Sequence, residues 1–256
     1  MIAVSLLKTT LAPALIGIAS WVARRWGPSA GGWFAALPLS SGPVVLVLTL
    51  QRGHAFGAEA CIGTLLALTS LSAYALVYSW SAQWLSWVWS TISACAAYLS
   101  CTFLLHTFLT PLLASFLVVC AILAITVRLM PFGVRSPRPA PPPAWDIPVR
   151  MAAAVALIWI LTSAAGALGA RTSGLLTPFP IAVSIMAGAV HHFEGTSAAR
   201  LLLRSMVAGL FSFAVFFLVV GAMIATWSVA SAFLAATLGA MFVHAGVWRW
   251  LRWSST

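Results

Sequence analysis

Residues 27–53 read GPSAGGWFAALPLSSGPVVLVLTLQRG, and residues 169–195 read GARTSGLLTPFPIAVSIMAGAVHHFEG. The first stretch carries Gly27-x4-Gly32-x5-Pro38-x14-Gly53. The second carries Gly169-x4-Gly174-x5-Pro180-x14-Gly195. All four positions match at one constant offset, without a gap. Each pattern starts where an apolar run ends, passes through a short helix and closes in the next loop. Gly and Pro are frequent in membrane helices, so a single match carries little weight. Four matches in one context mark an internal repeat.

The composition around these stretches sets the solvent. Of 256 residues, 62% are hydrophobic and 6% are charged. A soluble domain carries about 25% charged residues. So few charges cannot cover a globule, and the exposed apolar patches would aggregate. Lipid is the expected solvent, and a cytosolic enzyme is excluded. The net charge of +10 would point to nucleic acid in a soluble protein. Here the 13 Lys and Arg lie mostly at the ends of apolar runs, as membrane topology signals do. Nucleic acid is therefore excluded as a partner. Cys61, Cys95, Cys101 and Cys120 all fall inside apolar runs and read as small hydrophobes.

Nine apolar runs follow along the chain: Ala3–Ala23, Gly32–Leu50, Phe56–Tyr78, Trp84–Leu104, Phe108–Leu129, Pro148–Ala170, Gly174–Val190, Ser197–Met223 and Trp227–Val247. A spanning helix needs about 20 such residues. In a nine-helix reading, one set of ends holds Arg24, Arg25, Arg128, Arg135, Arg138, Arg150, Arg200, Arg204, Arg249 and Arg252. The other holds only Lys8, Arg52 and Arg171. The positive-inside rule then puts the N-terminus outside and the C-terminus in the cytoplasm of a bacterial inner membrane. Trp21, Trp26, Trp33, Trp80, Trp84, Trp87, Trp89, Trp145, Trp248, Trp250 and Trp253 fall near the basic ends and read as interfacial anchors. Trp227 falls at an external end, and Trp159 mid-membrane.

The segment Pro131–Asp146 reads PFGVRSPRPAPPPAWD, a polyproline spacer. It divides the chain into a first membrane half (1–130), a cytoplasmic linker (131–147) and a second half (148–256). The odd helix Phe108–Leu129 flips the second half relative to the first. The expected fold is thus all-α and integral to the membrane: two inverted repeats of about four helices, plus one extra. Inverted repeats typify secondary transporters, with the site near the midplane.

The stretch Gly174-Leu-Leu-Thr-Pro-Phe-Pro180, then Gly195-Thr-Ser-Ala-Ala-Arg200, resembles the GlpM-like family of small bacterial membrane proteins. The resemblance covers about thirty residues. The first half keeps the Gly and Pro positions but has Glu59 rather than Arg beyond Gly53. The resemblance implies a small multi-helix unit, duplicated and fused, and no particular reaction.

Proline removes a backbone donor and frees a carbonyl one turn earlier. In lipid such groups need a neighbouring helix, water or a ligand. Gly32, Pro38, Gly42 and Pro43 in the first half, with Gly174, Pro178 and Pro180 in the second, are therefore candidate substrate contacts. Ser40, Ser41, Thr177 and Ser184 lie close by with hydroxyls. The plainer reading is a packing kink. Glu59 and the cluster His191, His192 and Glu194 are candidates for proton coupling. The plainer readings are an interfacial Glu59 paired with Arg52 or His54, and a solvated cytoplasmic loop at His191–Glu194. His106 and His244 read as structural histidines near helix ends. No metal-ligand spacing and no glycine phosphate loop occur, so neither a cofactor nor ATP hydrolysis is expected.

The leading expectation is a secondary transporter or flippase-like permease for a small neutral or anionic substrate, and not an enzyme. A non-transporting scaffold or assembly subunit explains the same composition. A membrane-embedded enzyme using His191, His192 and Glu194 is a third reading. Expected partners are the bilayer and a small-molecule or lipid-like substrate, with homo-oligomer formation left open.

Overall fold

A computed structural model describes residues 14, 17–38, 41–107, 110–131, 147, 148, 151, 152 and 179–253. Among these residues every regular element is an α-helix. A helical stretch at 17–26 leads to α1 (Pro28–Ala35), α2 (Ser41–Arg52), α3 (His54–Ser81), α4 (Trp87–Leu105) and α5 (Leu112–Leu129). Then come α6 (Ile181–Glu194), α7 (Thr196–Met223) and α8 (Val229–Trp253).

Among the described residues, five helices, α3, α4, α5, α7 and α8, are long and apolar enough to cross a membrane. At 1.5 Å per residue, the 18 residues of α5 reach about 27 Å and the 28 of α3 or α7 about 42 Å. The hydrocarbon core is about 30 Å thick. Each of the five corresponds to one expected apolar run. The run Gly32–Leu50 does not form one helix. It divides into α1, of 8 residues, and α2, of 12, each too short to span. Pro38 sits in the break, and the Gly42 N–H turns back to the Pro38 carbonyl at 2.9 Å. The reading of His191–Glu194 as a solvated loop is corrected. These residues are the last turn of α6, because the helix runs on to Gly195. The linker 131–147 and the run Pro148–Ala170 lie almost wholly outside the described residues, as does the first half of Ala3–Ala23.

Three glycines join helices with no linker residue. Gly27, Gly53 and Gly195 have φ of 97°, 92° and 88° and ψ of 168°, 170° and 173°. This region is open only to glycine. In each corner the glycine N–H bonds back four residues and its carbonyl accepts a bond from four residues on: Thr49 to Gly53 to Gly57, and His191 to Gly195 to Ala199. One residue therefore ends one helix and starts the next. At the first corner the arms touch so closely that a Cβ on Gly31 would lie 2.5 Å from Ala23 Cβ.

Helices α3 and α7 form the core. Most of their length is buried, whereas α4, α5 and α8 expose apolar side chains such as Leu99, Leu117 and Leu238. In lipid, those faces are the perimeter. The core helices are antiparallel. Near one end Cys61 Cβ lies 3.2 Å from a Cβ built on Gly221, and near the other Arg200 Nε donates to the Ser79 carbonyl at 3.0 Å. Gly53 and Gly195 consequently lie at opposite ends of the bundle.

The basic residues follow the same axis. The C-terminal ends of α3, α5 and α8 gather with the start of α7. Trp80 Nε1 reaches the Leu129 carbonyl, Thr196 Oγ1 the Ala82 carbonyl, and Arg204 Nη1 the Val127 and Met130 carbonyls. Arg24, Arg25, Arg128, Arg200, Arg204 and Arg249 stand at this end, and Arg52 stands at the other. Trp21, Trp26, Trp80, Trp84, Trp87 and Trp89 are exposed at the basic end, and Trp227 at the opposite one. Trp33 and Trp248 depart from the anchor reading: their rings pack on each other at 4.8 Å, and Trp33 also stacks on His244 at 4.1 Å.

Candidate functional site

Two buried polar pairs tie the core helices to their neighbours. Midway along α3, Ser70 is fully buried and accepts a hydrogen bond from Thr102 Oγ1 of α4 at 2.9 Å. Midway along α7, Ser212 is fully buried and pairs with His244 Nδ1 of α8 at 2.8 Å. Ser70 stands to Ser212, and Thr102 to His244, at the offset that relates Gly53 to Gly195. Hydroxyls in lipid must find partners inside the protein, and these two pairs do so in the same way.

His244 is not a helix-end histidine. It lies within α8, is 3% exposed and has its ring over Trp33. The Trp33 indole N–H donates to the His244 carbonyl at 3.1 Å. The Ser212 hydroxyl also lies 2.7 Å from the Gly209 carbonyl. It has one proton to give. If that proton goes to Gly209, His244 Nδ1–H donates to Ser212 and Nε2 is a bare acceptor. His244 Nε2 is buried and makes no hydrogen bond.

A second polar seam joins α3, α4 and α6. The chain has three tyrosines, Tyr74, Tyr78 and Tyr98, and all are fully buried along it. The Tyr74 hydroxyl stands beside Ser184, which lies 3.8 Å from Cys95 Sγ. Tyr98 packs edge-on to Phe179 at 5.2 Å, next to Pro180. At the basic end, Tyr78 Oη is 3.4 Å from His191 Nδ1, and His191 Nε2 is 3.1 Å from Thr196 Oγ1. Thr196 donates to the Ala82 carbonyl. Its only proton is thereby used, so His191 Nε2–H donates to Thr196 and Nδ1 accepts from Tyr78. His191 is neutral in this arrangement. Burial holds its imidazole below the ordinary range, and the Arg200 and His192 charges add to that effect. Lowering the pH from about 7.5 to about 5.5 charges an unfolded histidine more readily than this one, so stability falls with acid. His191→Gln should show a smaller drop in Tm over that window; an equal drop would place the titrating group elsewhere.

The sequence-predicted residues separate into several places. Gly32 is buried where α1 crosses α7: a Cβ there would overlap the Leu202 carbonyl oxygen and lie 2.7 Å from Ser205 Oγ. Pro38 is buried in the helix break, and Gly42 packs on the Phe216 ring. Ser41 opens α2, and its buried hydroxyl makes no hydrogen bond. Pro43 is in the first turn of α2. Pro180 caps α6 and is buried, with Ser184 one turn on. Ser40, Gly174, Thr177 and Pro178 lie outside the described residues. Glu59 is exposed on α3, and the Arg52 guanidinium lies over the Phe56 ring at 5.3 Å. His192 points outward, edge-on to Trp87, while His191 points inward, and Glu194 is half-buried. Among the described residues, no three His, Cys, Asp or Glu side chains gather.

A lateral groove of about 770 Å³ lies between α5, α7 and α8. Its walls are apolar, and Arg128, Arg204 and Arg249 line it at the basic end. It is separate from both polar seams. Comparison of the chain with family models, with curated proteins and with solved structures gives no match.

Proposed function

We propose that the chain is a secondary transporter or flippase-like permease, built from two inverted repeats, for a small neutral or anionic substrate. The observation that carries this reading is the paired core. At the offset read from the Gly and Pro pattern, α3 (His54–Ser81) falls on α7 (Thr196–Met223), and the starts of α4 and α8 coincide. The Ser70–Thr102 bond falls on Ser212–His244. The Ser184–Tyr74 contact falls on Gly42–Phe216. The two core helices are antiparallel, so a two-fold relation between them lies across their axes. Two similar units in opposite orientation can exchange conformations and open a shared site to each side in turn. The polar seams give such an exchange something to carry a polar solute past. A duplicated and fused GlpM-like unit fits this arrangement.

The test is flux in proteoliposomes across a panel of neutral and anionic metabolites, comparing wild type with Pro38→Ala and Pro180→Ala. A permease takes up at least one solute, and one or both variants change its rate. No uptake by folded wild type favours the second reading, a non-transporting scaffold or assembly subunit. One observation supports that reading: Gly32 and Gly42 close on α7 by direct packing.

For orientation, the positive-inside rule places the basic end in the cytoplasm of a bacterial inner membrane. Single cysteines at exposed His54 and His192, with the four native cysteines replaced, test the inversion. An impermeant thiol reagent added to intact cells should label His54→Cys alone. Labelling of both from one side would sink the inverted repeat.

A further inference from the structure

We infer that the lateral groove between α5, α7 and α8 is a binding site for an anionic phospholipid. This goes beyond the transport reading and does not depend on it. The groove has two chemically distinct parts. Its long walls carry Ala124, Phe211 and Phe242 and offer acyl chains nothing but carbon. Its basic end carries Arg128, Arg204 and Arg249, and among the described residues no acidic side chain lines the groove. A ligand that matches both parts is a long apolar tail with an anionic head.

The positions of the arginines agree with a head at the membrane surface. Arg128 is in the last turn of α5, and Arg249 is near the end of α8. Both are exposed. Arg204 is half-buried and holds the Val127 and Met130 carbonyls at the end of α5, which fixes the groove floor beneath them. Guanidinium groups suit phosphate oxygens because they present paired N–H donors in one plane. The hollow itself comes from small residues: a Cβ on Gly246 would meet nothing within 4 Å. Ala124, Phe242 and Ala245 on its rim are exposed, so a lipid enters from the bilayer without crossing the core. Its volume lies within the range of ligand sites, about 300–1,000 Å³.

The experiment uses the full chain in a neutral detergent. Its Tm is measured against added phosphatidylglycerol, phosphatidylcholine or inorganic phosphate. Phosphatidylglycerol should raise the Tm at lower concentration than phosphatidylcholine, and inorganic phosphate should have no comparable effect. In the double variant Arg128→Gln/Arg249→Gln, the apparent phosphatidylglycerol affinity should fall about thirtyfold, since each surface arginine contributes about a factor of five. Arg204 is left in place because of its carbonyl bonds. Gly246→Phe fills the groove with all charges intact and should weaken binding of both lipids. Equal response to the two lipids, equal stabilisation by inorganic phosphate, or unchanged phosphatidylglycerol affinity in either folded variant would overturn the inference.

Discussion

Gly32→Ala should cost about 3 kcal/mol of stability, enough to leave the protein unfolded at temperatures where wild type is intact. The added methyl would overlap the Leu202 carbonyl oxygen. That oxygen is backbone, held inside a 28-residue core helix, so it cannot step aside as a flexible side chain can. The only relief is to move α1 off α7. That movement would also part Gly209 from Ala36, where a Cβ on Gly209 would be 2.5 Å from the Ala36 side chain. Close approach over small residues is the usual way two helices associate in lipid. Gly246→Ala is the control. It meets nothing within 4 Å and should gain up to about 1 kcal/mol from helix propensity. Thermal unfolding in detergent measures both. A Gly32→Ala protein with wild-type Tm and lost flux would return Gly32 to the role of substrate contact that the sequence pattern implied.

The five long helices were legible because lipid imposes one strong requirement, a run of apolar residues about a membrane thick. The boundaries at Leu129 and Met223 agree with the sequence reading. The break in Gly32–Leu50 was also legible, from Pro38. What composition cannot show is which residues of an apolar run face inward. Tyr74, Tyr78 and Tyr98 look ordinary in sequence, since each sits among other apolar residues. Their burial depends on how α3 meets α4 and α6, and that is a tertiary fact. His191 and His192 are adjacent, so sequence grouped them, while the helix turns them about 100° apart and only His191 reaches the seam. Ser212 and His244 lie on different helices, so no local motif joins them. A usable signal did exist. Extending the repeat offset past Gly195 pairs Ser70 with Ser212 and Tyr74 with Phe216, and those pairs mark the two core helices from residue positions alone.

His244→Leu should keep the Tm of wild type or raise it, while flux falls at least about tenfold, a threshold equal to about 1.4 kcal/mol of barrier. A buried polar atom without a partner costs about 1–3 kcal/mol, and His244 Nε2 is such an atom in a helix apolar enough to span the membrane. Leucine removes that cost and keeps most of the volume. Ser212 is not orphaned, since its hydroxyl retains the Gly209 carbonyl at 2.7 Å. The lost stack on Trp33 opposes the gain by about 1 kcal/mol. The equivalent pair, Ser70–Thr102, shows that the same helix contact closes without a titratable group. Under the transport reading proposed above, Nε2 would be the group that takes a proton, a water or a polar group of the solute during the exchange of the two halves. His244→Thr makes the second half resemble the first and separates two causes. It restores a hydroxyl partner for Ser212 but supplies no imidazole. If transport needs only the helix contact, His244→Thr recovers flux. If it needs the ring nitrogen, His244→Thr fails as His244→Leu does. Full flux in a folded His244→Leu protein would remove His244 from the transport path altogether.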